Sequence, residues 1–140
     1  MNKLEAIISK LDSVNMDAEL LKVVDQTNAQ AIDLNTEQLF HGRDAQGNKL
    51  KAYRNPAYAE FKQSLNPLGV TDLKLTGDFY RGFYAKTDRF PIMFDSSDSK
   101  TEMLTEKYGE IFGLDQEYLG KYQEEIKPIV QETFASFLEI

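Results

Sequence analysis

Residues 73–112 read LKLTGDFYRGFYAKTDRFPIMFDSSDSKTEMLTEKYGEIF, and this stretch sets the fold class. A short apolar run ends in Leu75-Thr76-Gly77. Thr76 is placed to cap a helical segment over 77–83, which would bring Phe79 and Phe83 together at i, i+4. Tyr84 to Thr87 and Phe90 to Asp95 read as strands around a tight turn at Asp88-Arg89. Pro91 has no N–H to donate, so it confines the start of the second strand to an edge or entry position. Ser99 and Glu102 have the spacing of a capping box, which predicts a helix over about 100–109 with Met103, Leu104 and Tyr108 inward. Turn, aromatic segment, strand pair and capped helix are parts for assembly; none is equipped for chemistry.

Working outward toward the N-terminus, Leu4, Ile7, Ile8 and Leu11 fall at helical spacing and predict an amphipathic helix over 2–13. Asn15 or Asp17 can cap the next one. Leu20, Leu21, Val24, Ala31 and Ile32 keep the period, so that helix is expected to run from about 17 into the mid-thirties, with no breaker before Phe40, and to end at Gly42. Residues 42–48 form a loop by composition. Asn55-Pro56 starts a short helix through Tyr58, Phe61 and Leu65, since the missing N–H of proline costs little in a first turn. Toward the C-terminus, Asp115 caps the last helix, with Leu114 and Leu119 as a staple. Leu119, Tyr122, Ile126, Ile129 or Val130, Thr133 and Phe137 mark its apolar stripe, and Pro128 removes one hydrogen bond and should bend it. The expectation is a single α+β domain over 1–140. Its parts are N-terminal helices (1–40), a middle of loop, short helices and an antiparallel β-hairpin (41–98), and C-terminal helices (99–140) that end in an amphipathic one.

Composition narrows the classes. A chain of 140 residues with 41% hydrophobic content can build one real core and is not a disordered polar chain. It has no cysteine, which removes disulfides, thiol nucleophiles and thiolate metal sites. No apolar run is long enough to span a membrane. The net charge of −7 is unevenly spread. Residues 1–40 hold three Lys against seven acids, 41–91 nine Lys or Arg against five, and 92–140 four Lys against eleven. The bland reading is an ordinary solvated surface. The sharper one is that complementary patches meet between neighbouring subunits. On that reading the interaction candidates are Lys49, Lys51, Arg54, Arg81 and Arg89, with Tyr80 and Tyr84 as exposed aromatics beside them. Overall acidity argues against specific nucleic-acid binding, leaving at most passive contact with DNA in a pore.

Catalytic and cofactor signals are weak throughout. His41 is the only histidine, so no Ser–His–acid set can be argued. Asp44, Gln46 and Asn48 alternate like a calcium loop, but the glycine falls at the fourth position and Asn55 stands where the loop needs Glu. Asp95, Asp98 and Glu102 could hold a hard metal or serve a small hydrolase. Acids at a helix N-terminus are favoured by the exposed N–H groups and the dipole without any such role. Phe79, Tyr80, Phe83 and Tyr84 suggest base stacking, yet core packing accounts better for the two phenylalanines. The residues therefore imply no enzyme, no cofactor and no metal.

The order of motifs resembles the bacteriophage virion-morphogenesis family and its tail-completion relatives. Asp44-Ala45-Gln46-Gly47 matches a D-x-x-G-like loop, and Tyr53-Arg54-Asn55-Pro56 with Tyr58 to Lys62 matches a turn and short helix. Leu75-Thr76-Gly77 matches the element before a hairpin, and Phe112-Gly113-Leu114 the one before the last helix. The likeness covers residues 30–140. The chain lacks the Trp-Pro-Leu-Ser element of many members and carries Thr105 to Gly109 where they often have histidine. Its variant is closest to phages and prophages of Bacteroidetes-type hosts. The resemblance implies a non-enzymatic virion protein of the neck or proximal tail, active in tail completion or head–tail joining. It would form a homo-oligomeric ring against connector or tail-tube proteins, in the host cytoplasm during assembly and then in the virion. The rival class is a monomeric adaptor or inhibitor carried by a phage or mobile element.

Overall fold

The computed structural model describes residues 2–74 and 76–138, the last two of these by backbone only. Leu75 and the side chain of Phe137 lie outside the described residues. Helices start where a side-chain acceptor can take up the N–H groups that a first turn leaves unpaired. Asn2 opens α1 (Lys3–Ser13) with a reciprocal capping box to Glu5. Asn15 opens α2 (Met16–Gln26) by accepting from the Ala18 N–H. Asn55 opens α4 (Pro56–Leu65) by accepting from Ala57 and Tyr58. Asp115 opens α7 (Gln116–Leu138), its Oδ1 2.9 Å from the Tyr118 nitrogen. Between them lie α3 (Asn28–Phe40), α5 (Asp78–Arg81), β1 (Phe83–Lys86), β2 (Met93–Ser96) and α6 (Thr101–Tyr108). The fold is α+β and mostly helical, with one two-stranded antiparallel sheet among the described residues.

Several expected boundaries move, each for a local reason. The long second helix is broken at Thr27, whose hydroxyl bonds the Val23 carbonyl and shares a 2.8 Å hydrogen bond with the Tyr122 hydroxyl. A side chain bonded back to its own helix and anchored to another favours a kink there. The hairpin pairs Phe83 with Ser96 and Lys86 with Met93, so residues 87–92 form a wide connection in place of a tight turn. Pro91 falls in that connection, after a cis bond from Phe90. Thr76 does not cap a 77–83 helix. Its hydroxyl accepts only from the Asp78 N–H, and Gly77 takes the cap position at φ +87°. Added bulk at Gly77 would also meet Arg81, its Cβ 2.8 Å from Nη1. Ser99 makes no capping box; Asp98 accepts from the Lys100 N–H while the Thr101 hydroxyl bonds the Ser96 and Asp98 carbonyls. Met103 points outward, leaving Leu104 and Tyr108 as the buried face of α6. The last helix continues through Pro128.

α3 lies between two apolar clusters. Leu39, with Ile32 against it, joins Leu50, Phe79, Phe83, Leu104, Tyr108 and Ile111. Ala31 and Leu34 join Tyr118 and Tyr122 of α7. The Phe79 and Phe83 rings meet edge-on, 5.1 Å apart, as the i, i+4 spacing predicts. The loop 111–115 joins the two clusters, and two fully buried amides of α3 hold it. Asn35 donates to the Ile111 carbonyl and accepts from the Gly113 N–H. Gln38 donates to the Gly113 carbonyl and accepts from the Asp115 N–H.

Gln38→Ala is expected to lower stability by about 3 kcal/mol, because it orphans two buried backbone groups and leaves a void. Ser99→Ala should be neutral, whereas Thr101→Ala should cost about 1 kcal/mol. Urea unfolding of the three variants checks the ranking, and a Ser99→Ala loss as large as that of Thr101→Ala would restore the capping box.

Candidate functional site

α4 carries its apolar and polar faces the wrong way round for a surface helix. Lys62 and, one turn on, Asn66 point into the protein, while Phe61 is 52% exposed and Leu65 50% exposed. The reason is Asp72, which sits in the adjoining loop with its side chain as buried as that of Lys62, each 2% exposed. The Lys62 ammonium lies 2.8 Å from Oδ1 of Asp72 and also donates to the Lys74 carbonyl. Asn66 Nδ2 donates to Oδ2 of Asp72 at 2.9 Å and to the Phe40 carbonyl at 3.0 Å. The Lys74 N–H, 2.9 Å away, and the Tyr53 hydroxyl also donate to Oδ1. A buried ion pair persists only when its remaining lone pairs and protons are so satisfied. Its consequence is that Tyr58, Phe61 and Leu65, followed by Leu68, form an uncovered apolar stripe.

The predicted interaction residues divide around this helix. Lys49 and Lys51 are exposed on the loop leading to α4, pinned by an antiparallel backbone β-bridge between Arg43 and Lys49, by buried Leu50 and by the Thr71 hydroxyl donating to the Lys51 carbonyl. Gly42 starts this loop at φ +77°, against Val70, where a Cβ would come within 2.7 Å. Arg54 is exposed immediately before the Asn55 cap. Arg81 pairs with Asp78 across one turn of α5. Arg89 lies apart, at the hairpin end beside exposed Phe90 and Met93, with Asp88 3.9 Å away. Tyr84 is exposed on β1, 3.3 Å from Asp95. Tyr80 is not the exposed aromatic expected: it is half-buried, packs against the larger core and donates to the Asp72 carbonyl. Burial raises its hydroxyl pKa well above the ordinary value.

The acids singled out as metal or catalytic candidates have local partners. Asp44 accepts from the Gln46 and Asn48 N–H groups, which makes the apparent calcium loop an Asx turn. Asp95 accepts from the Ser96 N–H and Asp98 from the Lys100 N–H, and Glu102 stands in the first turn of α6. Among the described residues no group of three His, Asp or Glu is placed to hold a metal ion. His41 ends α3, its Nδ1 2.9 Å from the Glu37 carbonyl. Beside it Arg43 bonds Glu117 and lies 3.3 Å from Asp115, tying the loop to the start of α7. No helix among the described residues is long and apolar enough to cross a membrane.

No family model, curated protein or solved structure matches the chain. Its function must therefore be argued from the surface itself. Sequence reasoning missed the inverted α4, although one signal was present: Lys62 and Asn66 share one face by i, i+4 spacing, next to the Phe61–Leu65 stripe.

Two measurements test this centre. Lys62→Met should cost about 3–5 kcal/mol by stranding Asp72, and adding Asp72→Asn should recover roughly half of it. Burial also pushes the Tyr53 hydroxyl up to about 12 from 10.0. Its folded form holds the proton longer, so its stabilisation is complete below pH 10 and fades as pH rises through about 12. Tyr53→Phe should flatten that alkaline loss in urea-monitored stability, and an unchanged slope would contradict the assignment.

Proposed function

We propose that this chain is a non-enzymatic structural protein of a bacteriophage neck or proximal tail, working in tail completion or head–tail joining as one subunit of a homo-oligomeric ring. The reading rests first on the motif order of residues 30–140. The observation that carries it further is the outward apolar stripe of α4, fed by the cationic loop at Lys49, Lys51 and Arg54. Exposed apolar residues in a row, rimmed by charge, are the usual mark of a surface that another protein covers. A neighbouring copy is a suitable occupant, because residues 92–140 hold eleven acids against four lysines and the middle holds the opposite excess. A head-to-tail contact between unlike patches closes into a ring when its rotation allows. The apolar stripe would supply the affinity and the charges the register.

Complementation of a phage deleted for this gene tests the reading. Lys49→Glu with Lys51→Glu, and separately Phe61→Ser with Leu65→Ser, alter exposed side chains and should shift stability by no more than about 0.5 kcal/mol. Both variants should accumulate as folded protein with separate heads and tails and few infectious particles. Wild-type titre from both would show that neither surface is an assembly contact and would remove this function.

A further inference from the structure

Leu73 and Lys74, Thr76 to Asp78, the start of α4 and α6 border an open hollow of about 350 Å³. This site does not depend on the assembly reading, and it uses none of the residues altered in the complementation test. The floor is apolar: Phe79, Leu104 and Tyr108 are buried core residues whose edges line it. Met103, which the helix period placed inward, stands at its wall 54% exposed, beside Tyr58. The rim is cationic, with Arg54, Lys74, Lys100 and Lys107 all lining the cavity. Among the described residues Asp78 is the one carboxylate lining it, and that group is already engaged by Arg81. Lys100 has Asp98 at 3.4 Å, while Arg54, Lys74 and Lys107 have no carboxylate within 4.0 Å among the described residues.

The spacing on α6 is part of the case. Lys100, Met103 and Lys107 stand at i, i+3 and i+7, one helical face, so the helix turns two cations and a thioether toward the same space. Helix stability does not explain Lys100 there, since a cation at a helix N-terminus opposes the dipole. Lys74 lies over the Phe40 and Tyr80 rings, 5.6 Å from each centroid, and Lys107 over Tyr108 at 5.4 Å. The contact with Tyr108, itself a lining residue, keeps the Lys107 ammonium by the cavity, and neither lysine is neutralised by its rings. In a protein of net charge −7, four cations around one apolar hollow are a local inversion of sign.

The geometry points to a binding site for a small organic anion: an apolar body of one or two rings seated on Phe79, Leu104 and Met103, with a carboxylate, sulfonate or phosphate held by the rim. The volume is at the lower end of ligand pockets, which suits a body of that size. Direct binding of 2-naphthoate to the full chain, followed by its fluorescence and by calorimetry, tests the site. The neutral isostere 2-naphthamide and the bare anion acetate serve as the two halves of the ligand. One saturable site for 2-naphthoate is expected, with each half binding at least roughly tenfold more weakly, because neither reproduces both apolar burial and charge. Lys100→Glu with Lys107→Glu should weaken 2-naphthoate at least roughly tenfold, with the melting temperature unchanged. Should that variant fail to fold, Arg54→Glu with Lys74→Glu is read in the same way. Equal binding of 2-naphthoate and 2-naphthamide, no saturation at millimolar 2-naphthoate, or undiminished binding by the charge-reversed chain would each overturn the proposal.

Discussion

The hold of Asn35 and Gln38 on the loop 111–115 is the constraint on which the rest of the arrangement depends. Two side chains on one face of α3 satisfy four backbone groups of a segment with no regular structure of its own. Without them Ile111, Gly113 and Asp115 would bring unpaired N–H and C=O groups into the interior, at a cost that a small domain cannot absorb. With them, Ile111 and Phe112 seat in one apolar cluster and Leu114 in the other. The same contact places Asp115, whose carboxylate starts α7. The direction of the longest helix therefore follows from two amides contributed by a distant part of the chain.

A second polar centre, at Asp72, does for the other end of the molecule what the amides do for the loop. Tyr53, Lys62, Asn66 and Tyr80 converge on one residue, and between them they fix the loops before and after α4. Apolar packing tolerates repacking, whereas a buried ionic network accepts one geometry or loses several kcal/mol. Such a centre adds little net stability compared with a well-packed apolar one. What it adds here is orientation: it turns α4 so that its lysine is inside and its phenylalanine outside.

The helices, the hairpin and the α+β class were legible because they rest on local signals. Asn15, Asn55 and Asp115 are acceptors at the right place, and Phe79 with Phe83 is a spacing that a short helical turn satisfies. The errors came where a distant partner overrode the local signal. Thr27 looks like an ordinary helix residue until Tyr122 is seen bonded to it. Ser99 and Glu102 have the right spacing for a cap, but Thr101 and Asp98 have better partners in Ser96 and Lys100. Tyr80 reads as a surface aromatic because the sequence gives no hint that the Asp72 carbonyl lies within reach. The interaction candidates fared unevenly for the same reason. Exposed charges such as Lys49 and Arg89 need no partner to be predicted, whereas the face a helix presents depends on what lies under it.

The interior and the surface can be read as one design. Buried positions are held by Asn35, Gln38, Lys62, Asn66 and Asp72, residue types that in most proteins face water. Meanwhile Leu4, Ile8 and Leu11 on α1, Phe61 and Leu65 on α4, and Phe90 and Met93 by the hairpin face outward. A monomer under selection for stability alone would gain by exchanging these sets, since apolar burial contributes about 25 cal/mol per Å² and exposed apolar rows invite association. The exchange makes sense if the monomer is not the working unit. In the proposed assembly, polar networks would keep each subunit in one shape before it docks, and the apolar rows would then be buried between chains. On that proposal specificity would be built into the interior and affinity reserved for the interface, the division of labour expected of a part that waits for its partner.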